Sequence, residues 1–310
     1  MRTRRHLSSS DPMSLIGGHR TVLLQESLQL LAIRPDDIVV DATLGGAGHA
    51  REIAQLLGTK GTLLGIDADA EAIKRAEEAL KGAVARIVLE HGNFREVESY
   101  LGKHGIPHIT KAIFDLGWSG YQLTAGKGFS FLHDEPLRMT YADGENSLTA
   151  ETVVNAWGES SLADIIYGWG EERYSRQIAR AIVVARKDTP ITTSSQLAAI
   201  IASAVPAVYR KGKLHPATKT FQAIRIAVND ELGALKEGLA AAWRNMLSGG
   251  RLAVITFHSI EDREVKRMMM DWSHSGEGER LTKSVVQPSR EEIAANPRSR
   301  SGKLRVIRKL

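Results

Sequence analysis

The 310-residue chain contains no cysteine. That absence excludes a disulfide framework, a thiolate metal centre and a cysteine nucleophile together. Long apolar runs are missing too. No window approaches the roughly 20 residues that a membrane helix needs, and the basic start MRTRRHLSSSDPM leads into no apolar stretch of signal-peptide length. The expected setting is the cytoplasm, with neither a membrane nor a metal involved.

What remains is ordinary globular material: 43% of residues are hydrophobic and 25% charged. The length suits one large domain, or one domain carrying a smaller second one. The net charge of +5 gathers in YRKGKLHPATK, in NPRSRSGKLRVIRKL and at the start of the chain. Such clusters fit an anionic partner and equally fit a solvated surface.

Residues 1–18 read as a loose tail, with Ser8 to Pro12 a breaker cluster and Met13 an alternative start. A helical pattern carried by Val22, Leu24, Leu28 and Leu31 ends before Pro35. Strand and helix patterns then alternate. IVVDAT, TLLGID, RIVLEH and KAIFDL read as buried strands, separated by AREIAQLLG, AEAIKRAEEALKG and FREVESYLGKHG as helices. That rhythm predicts an α/β fold with a doubly wound, mostly parallel sheet. After Leu116 about a hundred residues carry only helical patterns, too long for a connection. An inserted helical subdomain over 124–214 is expected, within a domain formed by 19–123 and 215–310. One long helix with an apolar stripe from Phe221 to Met246 follows, then the strand RLAVITF, the helix IEDREVKRMMMDW and a terminal strand KLRVIRKL.

The loop DATLGGAGHA follows the first strand, at the carboxyl edge where such sheets bind ligands. Gly45, Gly46 and Gly48 let a ligand reach backbone amides at a helix start. The dinucleotide pattern G-x-G-x-x-G fails, because counting from Gly46 the sixth position is Arg51. The phosphate-loop pattern fails as well, since GYQLTAGKG has one residue too many between its glycines. S-adenosyl-L-methionine has no pyrophosphate, so it needs the tight turn and not the third glycine. Asp67, ending the second strand, could accept both ribose hydroxyls in a methyltransferase or a dehydrogenase, or could instead cap the helix DADAEAI.

The segments HRTVLLQESL, VDATLGGAGHA, GIDADAEAI, HGNF, FDLGWSGYQL, KGFSF, YGWGEERYSRQIARAIV, HPATKTFQAIRIAVNDEL, GGRLAVITFHSIEDREVK and NPRSRSGKLR occur in order from His19 onward. Together they resemble the bacterial small-subunit (16S) ribosomal RNA (cytosine-N4)-methyltransferases. The resemblance implies a class I, Rossmann-like fold that binds S-adenosyl-L-methionine through Ala47, Gly48, His49, Asp67, Phe94, Asp115 and Gln122. It implies one cytosine in the decoding region as substrate, beside the peptidyl-tRNA position, in an assembled or assembling 30S subunit. A homodimer is one arrangement open to it. The chain departs from the family at Ala47, where glycine is usual, and at Ser119, Gly120, Tyr121, Lys127, Arg138 and Thr140. Most of these departures fall on the substrate side.

The exocyclic amine of cytosine is a poor nucleophile, because its lone pair is delocalised into the ring. Catalysis must hold it in line with the methyl group and accept hydrogen bonds from its N–H. No covalent intermediate is needed, which suits a chain without cysteine; carbon-5 methylation ordinarily begins with cysteine attack. Asp115, with Trp118, Ser119 and Gln122 after it, is the candidate acceptor, and a structural or cofactor-holding aspartate is the alternative. His258 could face the base, while Ser259 and Asp262 form a helix-start box. His215 and Thr218 could organise the helix start at Pro216. The resemblance puts both motifs beside the active site, making His215 and His258 candidate substrate contacts. Arg210, Lys211, Lys213 and Lys219 could grip phosphates, as could Arg298, Arg300 and Lys303. Tyr121, Phe129 and Phe131 could stack on a base, or the phenylalanines could plug the subdomain. A dehydrogenase, a small-molecule methyltransferase and a non-catalytic binding module are the rival classes.

Overall fold

The computed structural model describes residues 20–117, 126–141 and 147–310. Helix α1 (Leu24–Leu31) leads into strand β1 (Ile38–Asp41), and three β-α repeats follow: α2 (Gly48–Leu56), β2 (Thr62–Asp67), α3 (Ala70–Ala79), β3 (Arg86–His91), α4 (Val97–Lys103) and β4 (Ile109–Asp115). Between β4 and β5 (Met246–Thr256) the described residues form helices: α5 (Ala150–Ala156), α6 (Glu159–Gly168), α7 (Ser175–Asp188), α8 (Ser194–Ala204), α9 (Ala207–Arg210), α10 (Thr218–Asn229) and α11 (Glu231–Arg244). Helix α12 (Ser259–His274), β6 (Gly278–Arg280), α13 (Arg290–Ala295) and β7 (Lys303–Lys309) complete the chain.

The sheet order is β3-β2-β1-β4-β5-β7-β6. The first five of these strands run parallel, and β7 pairs antiparallel with both β5 and β6. Strands β1, β2 and β4 are largely buried, as a sheet covered on both faces requires, while β3 at the sheet edge is partly exposed. One face packs Phe114, Leu235, Leu239, Trp243 and Val265. The other packs Leu31, Ile53, Leu63, Ile113 and Ile255. A third cluster, with Val153, Ile166, Ile178, Ile182 and Leu197, belongs to the helical region and takes in Phe221, Ile224 and Val228 of α10.

The single long helix expected from Phe221 to Met246 is two helices. Asp230 breaks it with a left-handed backbone, φ 46°, ending α10 and opening α11. The apolar stripe is continuous in sequence because each half serves a different cluster. Strand β6 was not expected; at three residues it is too short to show a period. Among the described residues no helix is long and apolar enough to cross a membrane.

Candidate active site

The chain steps outward from β1 to β2 and β3, then returns to place β4 on the other side of β1. That reversal, beside the carboxyl ends of β1 and β4, is where open parallel sheets bind ligands. A cavity of about 730 Å³ opens there.

The turn after β1 forms its floor. The Asp41 Oδ1 accepts from the Thr43 amide at 3.2 Å. The Thr43 hydroxyl accepts the Asp115 amide at 2.7 Å, tying the turn to β4. Gly45 adopts φ +50°, a left-handed conformation costing a residue with a Cβ about 1–2 kcal/mol. Its amide donates to Asp67 Oδ2 at 2.8 Å. Ala47 is also left-handed, φ 59°, and caps α2. Its methyl is buried in the core and does not line the cavity, so Ala47 contributes the bend and not a side-chain contact. Gly48 and His49 do line it. A Cβ on Gly48 would lie 1.7 Å from Thr21 Oγ1, so the segment entering α1 packs directly on the turn. That segment is fastened by the end of the chain: Leu23 N donates to Glu292 Oε1 at 2.9 Å, and Asn296 Nδ2 to the Arg20 carbonyl at 3.1 Å. Arg298 belongs to the same wall.

Asp67 does not cap α3. The cap is Asp69, which accepts from Glu71 N, while Asp67 Oδ1 accepts from Asp69 N at 2.9 Å. Phe94 lines the cavity with its ring edge-on to Phe114 at 5.5 Å, and Ala234 and Leu235 extend this apolar wall. Asp115 lies across from the turn, its Oδ1 accepting from Gly117 N at 3.1 Å and its Oδ2 3.8 Å from His49 Nδ1.

Three carboxylates therefore end β1, β2 and β4, Asp41 buried and Asp67 and Asp115 partly buried. Burial lifts the Asp115 pKa to about 7; the Gly117 amide opposes this and the Glu261 charge adds to it. Burial also lifts Asp67, against the Gly45 and Asp69 amides. Asp41 is pushed well above the carboxylate range by burial, with the charges of Asp115 and Asp67 adding to it, and its Oδ2 has no hydrogen-bond partner among the described residues.

The far wall holds a buried polar network that the sequence reading did not single out. Arg225 of α10 sets Nη2 2.8 Å and Nε 2.7 Å from the two Glu231 oxygens. The Tyr141 hydroxyl donates to Glu231 Oε1 at 3.0 Å, and Glu261 lies beyond. Burial resists the ionisation of Glu261, but His258 and Arg225 outweigh it and its pKa falls. The available signal was Arg225 with Asn229 four residues on, two polar groups on one side of a helix that also carries the buried apolar residues Phe221, Ala223, Ile224, Ile226 and Val228.

His258 sits at the start of α12. It caps α12, its Nδ1 accepting from Glu261 N at 3.3 Å and its Nε2 lying 3.0 Å from Glu261 Oε1. The helix-start box is thus His258 with Glu261, one residue before the expected Ser259 and Asp262. Arg305 draws Asp262 away with contacts of 2.8 and 3.1 Å, and the Ser259 hydroxyl donates to Glu171. His215 Nδ1 accepts from Ala217 N, and its ring stacks on Phe131 at 4.5 Å. Pro216 precedes α10 and does not occupy its first turn. Phe129 and Phe131 pack in the helical cluster, as a plug would. Lys219 donates to the Glu171 carbonyl at 2.8 Å. Arg298 and Arg300 are exposed. Trp118, Ser119, Tyr121 and Gln122 lie outside the described residues.

Comparison with known proteins agrees with this architecture. A sequence model described as the MraW methylase family matches residues 17–310. Ribosomal RNA small subunit methyltransferase H of Symbiobacterium thermophilum is 43% identical over 308 residues, covering 94% of this chain and 96% of that protein. The protein of the same name from Brevibacillus brevis is also 43% identical, with 94% and 98% covered. With nearly the whole chain matched, and a glycine turn and three acids gathered at the switch point, the chain belongs to the MraW methylase family.

Proposed function

We propose that the chain transfers a methyl group from S-adenosyl-L-methionine to the N4 amine of a cytosine in the decoding (P-site) region of small-subunit ribosomal RNA, within an assembled or assembling 30S subunit. The observation that carries this reading is the acidity of the cavity beside the glycine turn. Asp67 and Asp115 line it and Asp41 lies buried behind them, all with pKa values raised. A pyrophosphate would add negative charge to that enclosure, whereas a sulfonium and an ammonium group relieve it. The fit also holds sterically. A Cβ on Gly45 meets nothing within 4 Å, so the bare turn leaves room for a ligand against its backbone. Phe94, Ala234 and Leu235 offer an apolar seat for adenine, and Asp67 faces the cavity where the ribose hydroxyls would lie.

When bound, the cofactor supplies an electrophilic methyl on a positively charged sulfur. Asp115 would accept a hydrogen bond from the N4 amine, aim its lone pair and take the proton that the nitrogen loses as the N–C bond forms and the methyl C–S bond breaks, the pair of that bond returning to sulfur. A carboxylate of pKa about 7 suits that role near neutrality. His49 Nδ1 stands 3.8 Å from the Asp115 carboxylate. The target base must leave its stack to reach this depth, which favours an unpaired or distorted site.

The helical region, 124–214, together with α10 reads the RNA in this proposal. Exposed Arg210 ends α9, next to Tyr209, and exposed Lys211 and Lys213 follow it. Arg173 lies 4.7 Å over the Tyr174 ring and 5.1 Å over that of Tyr209, a guanidinium already oriented at the surface for phosphate or base.

The test is transfer of labelled methyl from S-adenosyl-L-methionine to small ribosomal subunits from cells lacking the protein, with the product mapped by mass spectrometry. N4-methylcytosine at one decoding-region position is expected. Label only in small metabolites, or at carbon 5, refutes the reading.

A further inference from the structure

The wall formed by α10 and α11 is more polar than methyl transfer alone requires. Arg225 is only 8% exposed and lines the cavity, as do Tyr141, Asn229, Glu231 and Glu261. Burying so many polar groups is costly unless they are paired, and this paired set stands on the cavity wall. Glu231, His258 and Glu261 bring ligand atoms within 4.8 Å of one another. The positive charge there is already supplied by the Arg225 guanidinium, which lies against both Glu231 oxygens and within 3.4 Å of His258 Nε2. The cluster is organised around that guanidinium.

We propose that Arg225, held in plane by Glu231, reads the ring-nitrogen and carbonyl edge of the target base and selects cytosine over uracil. The proposal rests on the cytosine-N4 reading above. A guanidinium is a donor at every edge and cannot be deprotonated in a protein. Cytosine presents two acceptors, N3 and O2, beside its donating amine, so an arginine donor and a carboxylate acceptor match it in sequence. Uracil reverses both: its N3–H meets an N–H donor and its O4 meets a carboxylate. Buried polar sites reject a mismatched partner by orders of magnitude, because the site's own groups are left unpaired. The supports around Arg225 fix its plane. Tyr141 donates to Glu231, and Asn229, one turn on, accepts from Tyr141 N at 2.9 Å and donates to the Met139 carbonyl at 2.7 Å.

The test measures binding of cytidine 5′-monophosphate and uridine 5′-monophosphate by saturation-transfer NMR, on the full chain loaded with S-adenosylhomocysteine. The wild type is expected to prefer the cytidine nucleotide at least ~10-fold. Arg225→Lys keeps the charge and loses the planar fork, and should bring that preference below about threefold while S-adenosylhomocysteine affinity stays unchanged. Should Arg225→Lys fail to fold, Tyr141→Phe loosens the hold on Glu231 and should lower the preference by about threefold. Equal binding of the two nucleotides by the wild type, or none of either, overturns the proposal. So does an undiminished preference in the folded variant. Loss of S-adenosylhomocysteine binding in Arg225→Lys also overturns it, by assigning the guanidinium to the cofactor's carboxylate. Failure of the wild type to label small subunits is a separate result and defeats the cytosine-N4 reading instead.

Discussion

Replacing Asp115 with asparagine should remove activity and raise stability at the same time. The folded state holds the Asp115 proton up to a pKa of about 7, against the ordinary value of 3.8. An acid whose folded pKa is raised contributes stability that is fully present below about pH 4 and is lost as pH rises through about 7. At about 1.36 kcal/mol per pKa unit, the roughly three-unit rise makes the wild type about 4 kcal/mol less stable at pH 8 than an uncharged side chain there would leave it. Asparagine keeps an oxygen to accept from Gly117 N and never ionises. The stability advantage of Asp115→Asn should therefore grow by about 4 kcal/mol between pH 4 and pH 8. Urea unfolding across that range measures it, with transfer of labelled methyl to small subunits measured alongside. For the wild type, kcat/KM for S-adenosyl-L-methionine, which reports the cofactor-free chain, should rise with pH through about 7 and then level, because the ionised carboxylate is the acceptor. Parallel stability curves for the two proteins, or wild-type turnover in the variant, refute the assignment of Asp115.

Gly45→Val puts a side chain where a Cβ now meets nothing, and should weaken S-adenosylhomocysteine binding at least ~10-fold in calorimetry. Undiminished affinity places the ligand elsewhere. His258→Ala removes the α12 cap and the partner of buried Glu261, and should lower urea stability by about 1–3 kcal/mol; a change under about 0.5 kcal/mol contradicts it. A cationic cofactor should lower the raised pKa values of Asp67 and Asp115, so binding near pH 7 should release protons, read as a buffer-dependent heat. Net proton uptake counts against it. Lys211→Glu with Lys213→Glu should raise KM for the small subunit and reduce the salt slope of binding by about 2; an unchanged slope removes these lysines from the RNA surface.

Much of the cofactor side was legible because it is written in local pattern. Buried strands alternate with helices from Ile38 to Asp115, and a strand-end loop with three glycines announces a bend that a ligand can approach. Arg51 stands where a dinucleotide site needs glycine, which narrows the ligand from sequence alone. What escaped depends on contacts remote in sequence. Glu231 meets Tyr141, ninety residues earlier, and Leu23 meets Glu292, 269 residues later. The break at Asp230 escaped because a left-handed aspartate costs little and leaves no mark on the apolar stripe. The α12 cap was misread by one residue because Asp262, a good capping partner by type, is held by Arg305.

Helix α10 explains why the two sides of the cavity differ so much in legibility. Phe221, Ile224 and Val228 bury one of its sides in the helical cluster, while Arg225 and Asn229 turn toward the cavity. The same helix thus anchors the inserted region and forms the polar wall opposite Asp115. A shift of α10 along its axis would move its apolar anchors and Arg225 together, because neither side can slip without the other. The left-handed break at Asp230 gives Glu231 its place: it ends α10 one residue early enough for the next carboxylate to return onto Arg225, six residues behind it in the chain. An unbroken helix would carry residue 231 well over one turn beyond Arg225, at a spacing where side chains do not share a face. The glycine-turn side of the cavity is therefore built largely from backbone at a strand end, and the opposite wall from one interrupted helix whose interruption pairs the arginine.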